Sequence, residues 1–316
     1  MTDVSVVIPT TGRPSVAEAV LSARQQRGAS VQIVVVCDLV DVPTTVRDVC
    51  SSIDEVVCTG GGRRGSFARN LGIAHCAAEY IAFLDDDDVW LPGKLAVQLP
   101  VARQLSADGW HPIVSSRILQ RQSGSEPLPS AAPATVIPEG MPPEDYLFRR
   151  RRLGIDRQSL PTSTLLTSRH LATVCPWDET LPRHQDWDWL VRATRVPSAK
   201  LVQIEKPTAI YTVGSPGSVS ARADWQTSWD WAKRWEGVWD GTTFADFVTA
   251  QTLRYAIQAR DWYGATELMR AIRRNALPSL SNAALAAAGL LPRATLERLA
   301  IMKSRVRPNT PKEGSR

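Results

Sequence analysis

Residues 80–84 read Tyr-Ile-Ala-Phe-Leu, an apolar strand-like run, and Asp85, Asp86, Asp87 and Asp88 follow without a break. Few features constrain a chain more. Four adjacent carboxylates repel one another and are costly to hold unless a cation or solvent compensates them. A solvated acidic turn or a helix cap would explain a random acidic run, but this one terminates a buried strand. In open α/β sheets, ligands sit beyond the carboxyl ends of the strands. Hard oxygen donors with no histidine nearby favour Mg²⁺ or Mn²⁺ over zinc.

The flanking sequence has the alternation such a sheet needs. Val4–Ile8 is a β-branched run ended by Pro9. Residues 15–27 place Val16, Ala19, Val20 and Ala23 at helical spacing, with Ser15 as N-cap. "VQIVVVCD" and "DEVVCT" read as further strands. Residues 66–76 read as a helix with Phe67, Leu71 and Ile73 inward, and "PIVSSRILQ" as a later strand. The pattern predicts an α/β fold with a doubly wound, mostly parallel sheet. Residues 121–143, rich in Pro, Ser, Ala and Gly, read as a flexible exposed loop. A second α/β stretch runs from Tyr146 to Val213, and "SPGS" at 215–218 punctuates the chain. The expected division is a catalytic domain over 1–214 and a helical, Trp-rich, basic region over 215–316. Trp225, Trp229 and Trp235 are expected to share a helix face, as core or as an acceptor platform.

Composition removes several classes. With 316 residues, 43% hydrophobic and 22% charged, the chain can bury a core without staples and is neither fibrous nor disordered. Its longest apolar run, Asn282–Leu291, falls short of the roughly 20 residues of a membrane span. The N-terminus lacks the basic region of a signal peptide. Five cysteines without a CxxC motif suggest neither a disulfide framework nor a zinc site. A cytoplasmic enzyme is expected. The net charge of +5 is uneven, with 12 Lys+Arg against 4 Asp+Glu from Leu253 onward. A basic C-terminus allows peripheral contact with the inner face of a membrane, although a solvated terminus is the plainer reading. No nucleic-acid-binding motif accompanies it.

In order, "VSVVIPTTGRP", "IVVVCD", "GSFARNLGIAHCAAEYIAFLDDDDVW" and "HQDWDWLVR" resemble the inverting family 2 glycosyltransferases with the GT-A fold. The resemblance covers roughly residues 3–213 and is most specific in the helix–strand–acid segment. It implies a GT-A domain, a nucleotide-sugar donor, expected to be a UDP-sugar, and an Asp-X-Asp motif working with Mg²⁺ or Mn²⁺. The acceptor it implies is a carbohydrate, a lipid-linked molecule or a natural product.

The resemblance also implies roles. Pro9, Thr10, Thr11, Gly12 and Arg13 form the loop that touches the nucleotide, with backbone amides available to a diphosphate. Asp38 matches the acid on base and sugar, although Leu39 follows it where a second polar residue is common. Arg69 and Asn70 match the family's Ala-Arg-Asn, with Arg69 directed to Asp38 or the base. Asp85 and Asp87 are the outer residues of the motif; Asp86 faces ribose or diphosphate, Asp87 binds the metal, and Asp88 is available as a helix N-cap. Asp186 aligns with the general base, and Gln185 replaces the usual Glu. Ser163 and Thr164, with Thr162, are candidates for the acceptor pocket, as are His184, Gln185 and Trp187. Asp188 and Arg192 are spaced to pair along one helix.

Three other readings stay open. "GGGRRG" at 60–65 satisfies GxGxxG, but it follows the third strand and no dehydrogenase site accompanies it, so Arg63 and Arg64 are expected to flank phosphate or solvent. Gln185 allows a catalytically silent nucleotide-sugar-binding or scaffold protein. A nucleotidyltransferase shares the same metal and sheet logic.

Overall fold

Val4, Val6 and Ile8 turn to one face of the first strand and Val7 to the other, and all four are fully buried. That period of two, with no polar face, is what a strand covered by helices on both sides requires. The structure is a computed structural model and describes residues 2–149, 158–214 and 224–287. Eight strands form one sheet: β1 Val4–Thr10, β2 Val31–Cys37, β3 Glu55–Cys58, β4 Tyr80–Phe83, β5 Val89–Trp90, β6 His111–Gln122, β7 Leu166–Ser168 and β8 Ala199–Val213. Their order is β3-β2-β1-β4-β7-β6-β8-β5. β1 to β4 pair in parallel, β7 runs against both β4 and β6, β8 is parallel to β6, and β5 is antiparallel to β8. The sheet is therefore mixed.

Helices Val16–Arg24 and Lys94–Ala107 cover one face, and Arg64–Ala74 and Gln185–Ala193 the other. The first buries Val16, Ala19, Val20 and Ala23 as its spacing predicts, but Ser15 makes no side-chain capping bond. Helix Arg64–Ala74 turns Ser66, Ala68, Arg69, Gly72 and Ile73 inward, with Phe67 under the Arg63 guanidinium at 4.0 Å. Gly72 explains the tight seating of this helix, since a Cβ there would lie 2.5 Å from Val7 Cγ1. Trp177 and Trp189 stack at 5.2 Å beside Phe83, the last residue of β4, so the floor under the acidic run is rigid and aromatic.

The stretch expected to be a flexible loop is tied down. β6 continues to Gln122, Ile118 bridges Ala132, and Arg117 donates to the carbonyls of Pro133 and Ala131 at 2.7 and 2.8 Å. Ile137 is buried, its N–H is 3.0 Å from Gln203 Oε1, and Tyr146 donates to Thr135 O at 2.6 Å. Proline and small residues here lack secondary structure, yet their carbonyls still satisfy buried donors.

Two compact units divide the chain, one within Met1–Phe148 and Ile155–Arg222, the other within Arg149–Gly154 and Ala223–Arg316. In the second unit, helix Trp225–Lys233 is capped by the Asp224 side chain on Thr227 N–H at 3.0 Å. Trp231, Trp235, Trp239 and Phe247 form one buried aromatic cluster there, and Trp225 lies against Gly264. Burial, rather than an open platform, accounts for these tryptophans. No helix among the described residues is long and apolar enough to cross a membrane. The "SPGS" break and the basic terminus from 288 onward lie outside the described residues.

Candidate active site

The four aspartates at the carboxyl end of β4 offset their mutual repulsion through bonds to guanidinium, hydroxyl and backbone N–H donors. Arg69 Nη2 donates to Asp85 Oδ1 at 2.5 Å. Thr10 Oγ1 donates to Asp86 Oδ2 at 2.6 Å, while Arg13 Nη1 reaches Asp86 Oδ1 at 3.3 Å and Asp87 Oδ2 at 2.9 Å. Asp88 turns inward, accepting from Ser163 Oγ at 2.6 Å and from Thr212 N–H at 2.8 Å. Asp88 N–H closes the turn on Asp85 O at 3.1 Å.

Burial pushes Asp86 up to about 6, against the bond from Thr10 and the charge of Arg13. Burial also holds Asp88 well above the carboxylate range, with repulsion from Asp85 adding to it. Asp88 is not the N-cap expected of it: the following helix begins at Lys94 after Gly93.

The loop after β1 is drawn onto this run. Gly12 N–H donates to Thr10 Oγ1 at 3.0 Å, and Thr45 Oγ1 donates to Gly12 O at 3.1 Å. Gly12 sits at φ 84°, where a side chain would be strained and would press on Leu39 and Pro43. Pro9 and Arg13 are partly exposed and Thr11 is exposed, so the outer face of the loop is open to solvent.

Asp38, at the end of β2, accepts from Thr59 Oγ1 at 2.5 Å and from the Arg63 and Arg64 backbone N–H groups at 2.8 Å each. Burial raises its pKa, but these donors outweigh it and hold the carboxylate below its ordinary value. Asp38 thus anchors the start of helix Arg64–Ala74, and Arg69 pairs with Asp85 rather than with Asp38. Asn70 is committed elsewhere than the expected donor contact. Its amide donates to Trp177 O and Glu179 Oε1 at 2.9 and 2.8 Å and accepts from Trp177 N–H at 2.9 Å.

The segment "HQDWDW" opens helix Gln185–Ala193. His184, in the left-handed region at φ 62°, is buried and stacks on Trp187 at 4.7 Å. Burial pushes its imidazole down to about 3, with Arg183 adding to the effect. Asp186 keeps part of its surface open at the helix start. Burial raises its pKa; the Trp187 N–H and the Arg69 charge oppose that, and Asp85 adds to it. Arg69, bonded to Asp85, and Gln185, next to Asp186 in the chain, both crowd Gly65, with Arg69 Nη1 2.9 Å from where its Cβ would stand, so the acidic run and the start of helix Gln185–Ala193 meet in one site. Gln185 donates to Leu181 O at 2.8 Å, and its Oε1 lies 3.2 Å from where a Cβ of Gly65 would stand. Asp188 and Arg192 pair at 2.7 Å as their spacing predicts.

Ser163 and Thr164 do not line an open acceptor pocket. Both are buried, and their hydroxyls are spent inside the fold. Ser163 Oγ donates to Asp88 and accepts from Asp85 N–H at 3.1 Å. Thr164 Oγ1 bonds Ser115 Oγ and Pro161 O at 2.7 Å each, and its carbonyl accepts from Lys94 Nζ at 2.9 Å and Gln98 Nε2 at 2.8 Å. Lys94 is buried without a carboxylate partner, and burial holds its amine well below the lysine range.

One site residue carries no sequence signal. Tyr211 on β8 has its phenol pushed up by burial and then by the charges of Asp88, Asp186, Asp85 and Asp87. It follows an ordinary apolar strand pattern with no motif around it.

A divalent cation fits the donor set. The oxygens of Asp86 and Asp87 converge on one cationic nitrogen, Arg13 Nη1, at 3.3 and 2.9 Å. No group of three His, Cys, Asp or Glu residues suited to a metal exists among the described residues. Mg²⁺ suits such a site, since it is commonly held by one or two carboxylates with substrate phosphates and water completing the shell.

A helix-covered mixed sheet with an acidic run beyond β4 and the loop after β1 bonded to that run is the GT-A fold. Residues 5–142 match the family described as Glycosyl transferase family 2. AmsB of Erwinia amylovora, an amylovoran biosynthesis glycosyltransferase, is 32% identical over 148 residues, which are 46% of this chain and 46% of AmsB. The match thus spans about half the length of that relative. Crystal structures of residues 1–349 of S. aureus TarS share the fold. The complex with UDP-GlcNAc superposes with a TM-score of 0.54 at 13% identity, covering 87% of this chain and 92% of that one. A second TarS 1–349 structure gives 0.51 at 13% identity, covering 86% and 91%.

Proposed function

We propose that the chain is an inverting glycosyltransferase that moves a sugar from a nucleoside diphosphate, UDP in the first instance, to an acceptor hydroxyl. The acceptor is a carbohydrate, a lipid-linked molecule or a natural product. The observation that carries this reading is that Arg69, bonded to Asp85 of the acidic run, meets Gln185, the neighbour of Asp186, at Gly65. Inversion is a single displacement, which needs charge stabilisation on the leaving side and a base on the other. A UDP donor is supported by the fold shared with TarS, which was solved with UDP-GlcNAc, and sugar transfer by the likeness to AmsB.

In this reading Pro9–Arg13 and Asp38 hold the nucleotide, and Asp85 and Asp86 face its ribose and diphosphate. Asp87 holds Mg²⁺ or Mn²⁺, which would offset the charge on the departing diphosphate. Asp186 accepts the proton of the acceptor hydroxyl. Its burial makes it a stronger base than a free carboxylate. His184 and Trp187 form the aromatic wall beside it. The amide at Gln185 is satisfied by Leu181 O, so the missing carboxylate leaves the base in position.

Asp186→Asn tests the reading. The variant is expected to bind UDP with Mn²⁺ as the parent does while transfer falls by three orders of magnitude or more. Transfer at the parental rate would show that the base lies elsewhere. Release of pyrophosphate instead of UDP would assign a nucleotidyltransferase, and binding without turnover in the parent would assign a silent scaffold.

A further inference from the structure

A cleft of about 880 Å³ opens at the other edge of the sheet, where β1, β4 and β6 begin and the antiparallel β7 ends. The acidic run leaves β4 at the opposite edge. Seven residues of β1 separate the two edges, about 20 Å at strand rise. The volume lies in the range of roughly 300–1,000 Å³ typical of ligand sites.

Its lining combines two kinds of chemistry. One is aromatic. Trp110 is 41% exposed, and its ring carries the Lys200 ammonium at 5.4 Å, itself held by Glu139 at 2.7 Å. His111 and His170 pack ring on ring at 4.5 Å. The other is polar, with acceptors and donors held in place. Asp3 is held by Ser30 and by Arg103 at 2.5 Å, and Tyr80 donates to Ser106 Oγ at 3.1 Å. The lining holds two guanidiniums, Arg103 and Arg169, and two carboxylates, Asp3 and Glu79. That balance gives no preference to an anion such as a phosphate or a nucleic acid.

A sugar is the ligand with both halves of this chemistry. Its C–H faces lie flat on an exposed indole, and its hydroxyls each donate and accept. We propose that the cleft is a second carbohydrate-binding site, distinct from the transfer site, that takes a neutral oligosaccharide. Its use as a hold for the glycan being extended rests on the transferase reading; the binding itself does not.

The test is saturation-transfer-difference NMR on the full chain without nucleotide. The neutral probes are cellohexaose, laminarihexaose and maltohexaose, with a hyaluronan hexasaccharide as the acidic one. At least one neutral probe is expected to bind, at least tenfold more weakly to Trp110→Ala. UDP affinity and melting temperature stay at parental values, because Trp110 is at the surface and remote from the acidic run. Arg103→Gln, which leaves Asp3 held by Ser30 alone, is expected to weaken the same probe. The proposal is overturned if no neutral probe binds, if binding survives Trp110→Ala unchanged, or if the acidic probe is preferred. Glycan binding in the cleft of a protein that neither binds nor turns over a nucleotide sugar would sink the transferase reading and leave this site standing. Transfer without glycan binding in the cleft would do the reverse.

Discussion

Arg69 and Asp85 are joined at 2.5 Å, with the Arg69 guanidinium lying 4.7 Å over the ring of Trp177. The pair fastens helix Arg64–Ala74 to the acidic run and supplies the positive charge that opposes the burial of Asp186. Removing Arg69 leaves the burial of Asp186 and the repulsion of Asp85 opposed by backbone N–H groups alone, so its pKa climbs. Arg69→Ala is therefore expected to move the acid limb of the pH–kcat profile to higher pH and to lower kcat about 100-fold. Arg69→Lys should restore part of both. An acid limb that stays in place would separate Arg69 from the base.

Arg13 sits where a cation would sit, on Asp86 and Asp87. A cation binding there competes with the guanidinium, whereas a diphosphate would gain from it. Opposite signs follow for one substitution. Arg13→Ala should bind Mn²⁺ several-fold more tightly in the absence of nucleotide, by electron paramagnetic resonance titration, and UDP more weakly, by calorimetry. Weaker Mn²⁺ binding would show that Arg13 does not share the cation's carboxylates.

Asp86 titrates at about 6 against an ordinary 3.8, because it is buried. A raised carboxyl pKa favours the folded state below the unfolded value, and that contribution is lost as pH rises through the folded value. Asp86→Asn removes the cost of ionisation, so without metal it should stabilise the protein at pH 8 by at most about 3 kcal/mol. Below pH 4 the difference should vanish. Urea melts at the two pH values check this, and an offset equal at both would mean that the change acts through packing rather than charge.

Much of the sheet and the place of the acidic run at a strand end are legible in the sequence because they rest on local pattern. Val4–Ile8 and Val31–Cys37 are apolar without interruption, and a strand that runs into Asp85–Asp88 announces its carboxyl end. The partners of those aspartates were not legible. Each is chosen by a residue far along the chain: Arg69 takes Asp85 rather than Asp38, and Ser163 and Thr212 take Asp88. Asn70 looked available for the donor because its two bonds to Trp177 join residues more than one hundred positions apart. The strand reversal at β7 was hidden for a similar reason, since three residues, Leu166–Ser168, are too few to show a period. Tyr211 had no motif at all.

Ser163 was expected among acceptor contacts, and its position demands a different result on substitution. Its hydroxyl donates to Asp88 and accepts from Asp85 N–H, tying the two ends of the acidic run to one turn. That turn is itself pinned by Trp90 Nε1 on Ser163 O at 2.8 Å and by Lys94 and Gln98 on Thr164 O. Ser163→Ala leaves the buried Asp88 with the Thr212 N–H and without its hydroxyl donor, a loss of about 1–3 kcal/mol. The melting temperature should fall by roughly 2–10 °C for a domain of this size. UDP–Mn²⁺ affinity should fall with it, because Asp86 and Asp87 hang between the two anchored ends, while the acceptor KM stays near the parental value. Ser163→Thr, which keeps the hydroxyl, should recover the nucleotide affinity where the added methyl is accommodated. A Ser163→Ala protein with parental melting and UDP affinity but a raised acceptor KM would return Ser163 to the acceptor pocket.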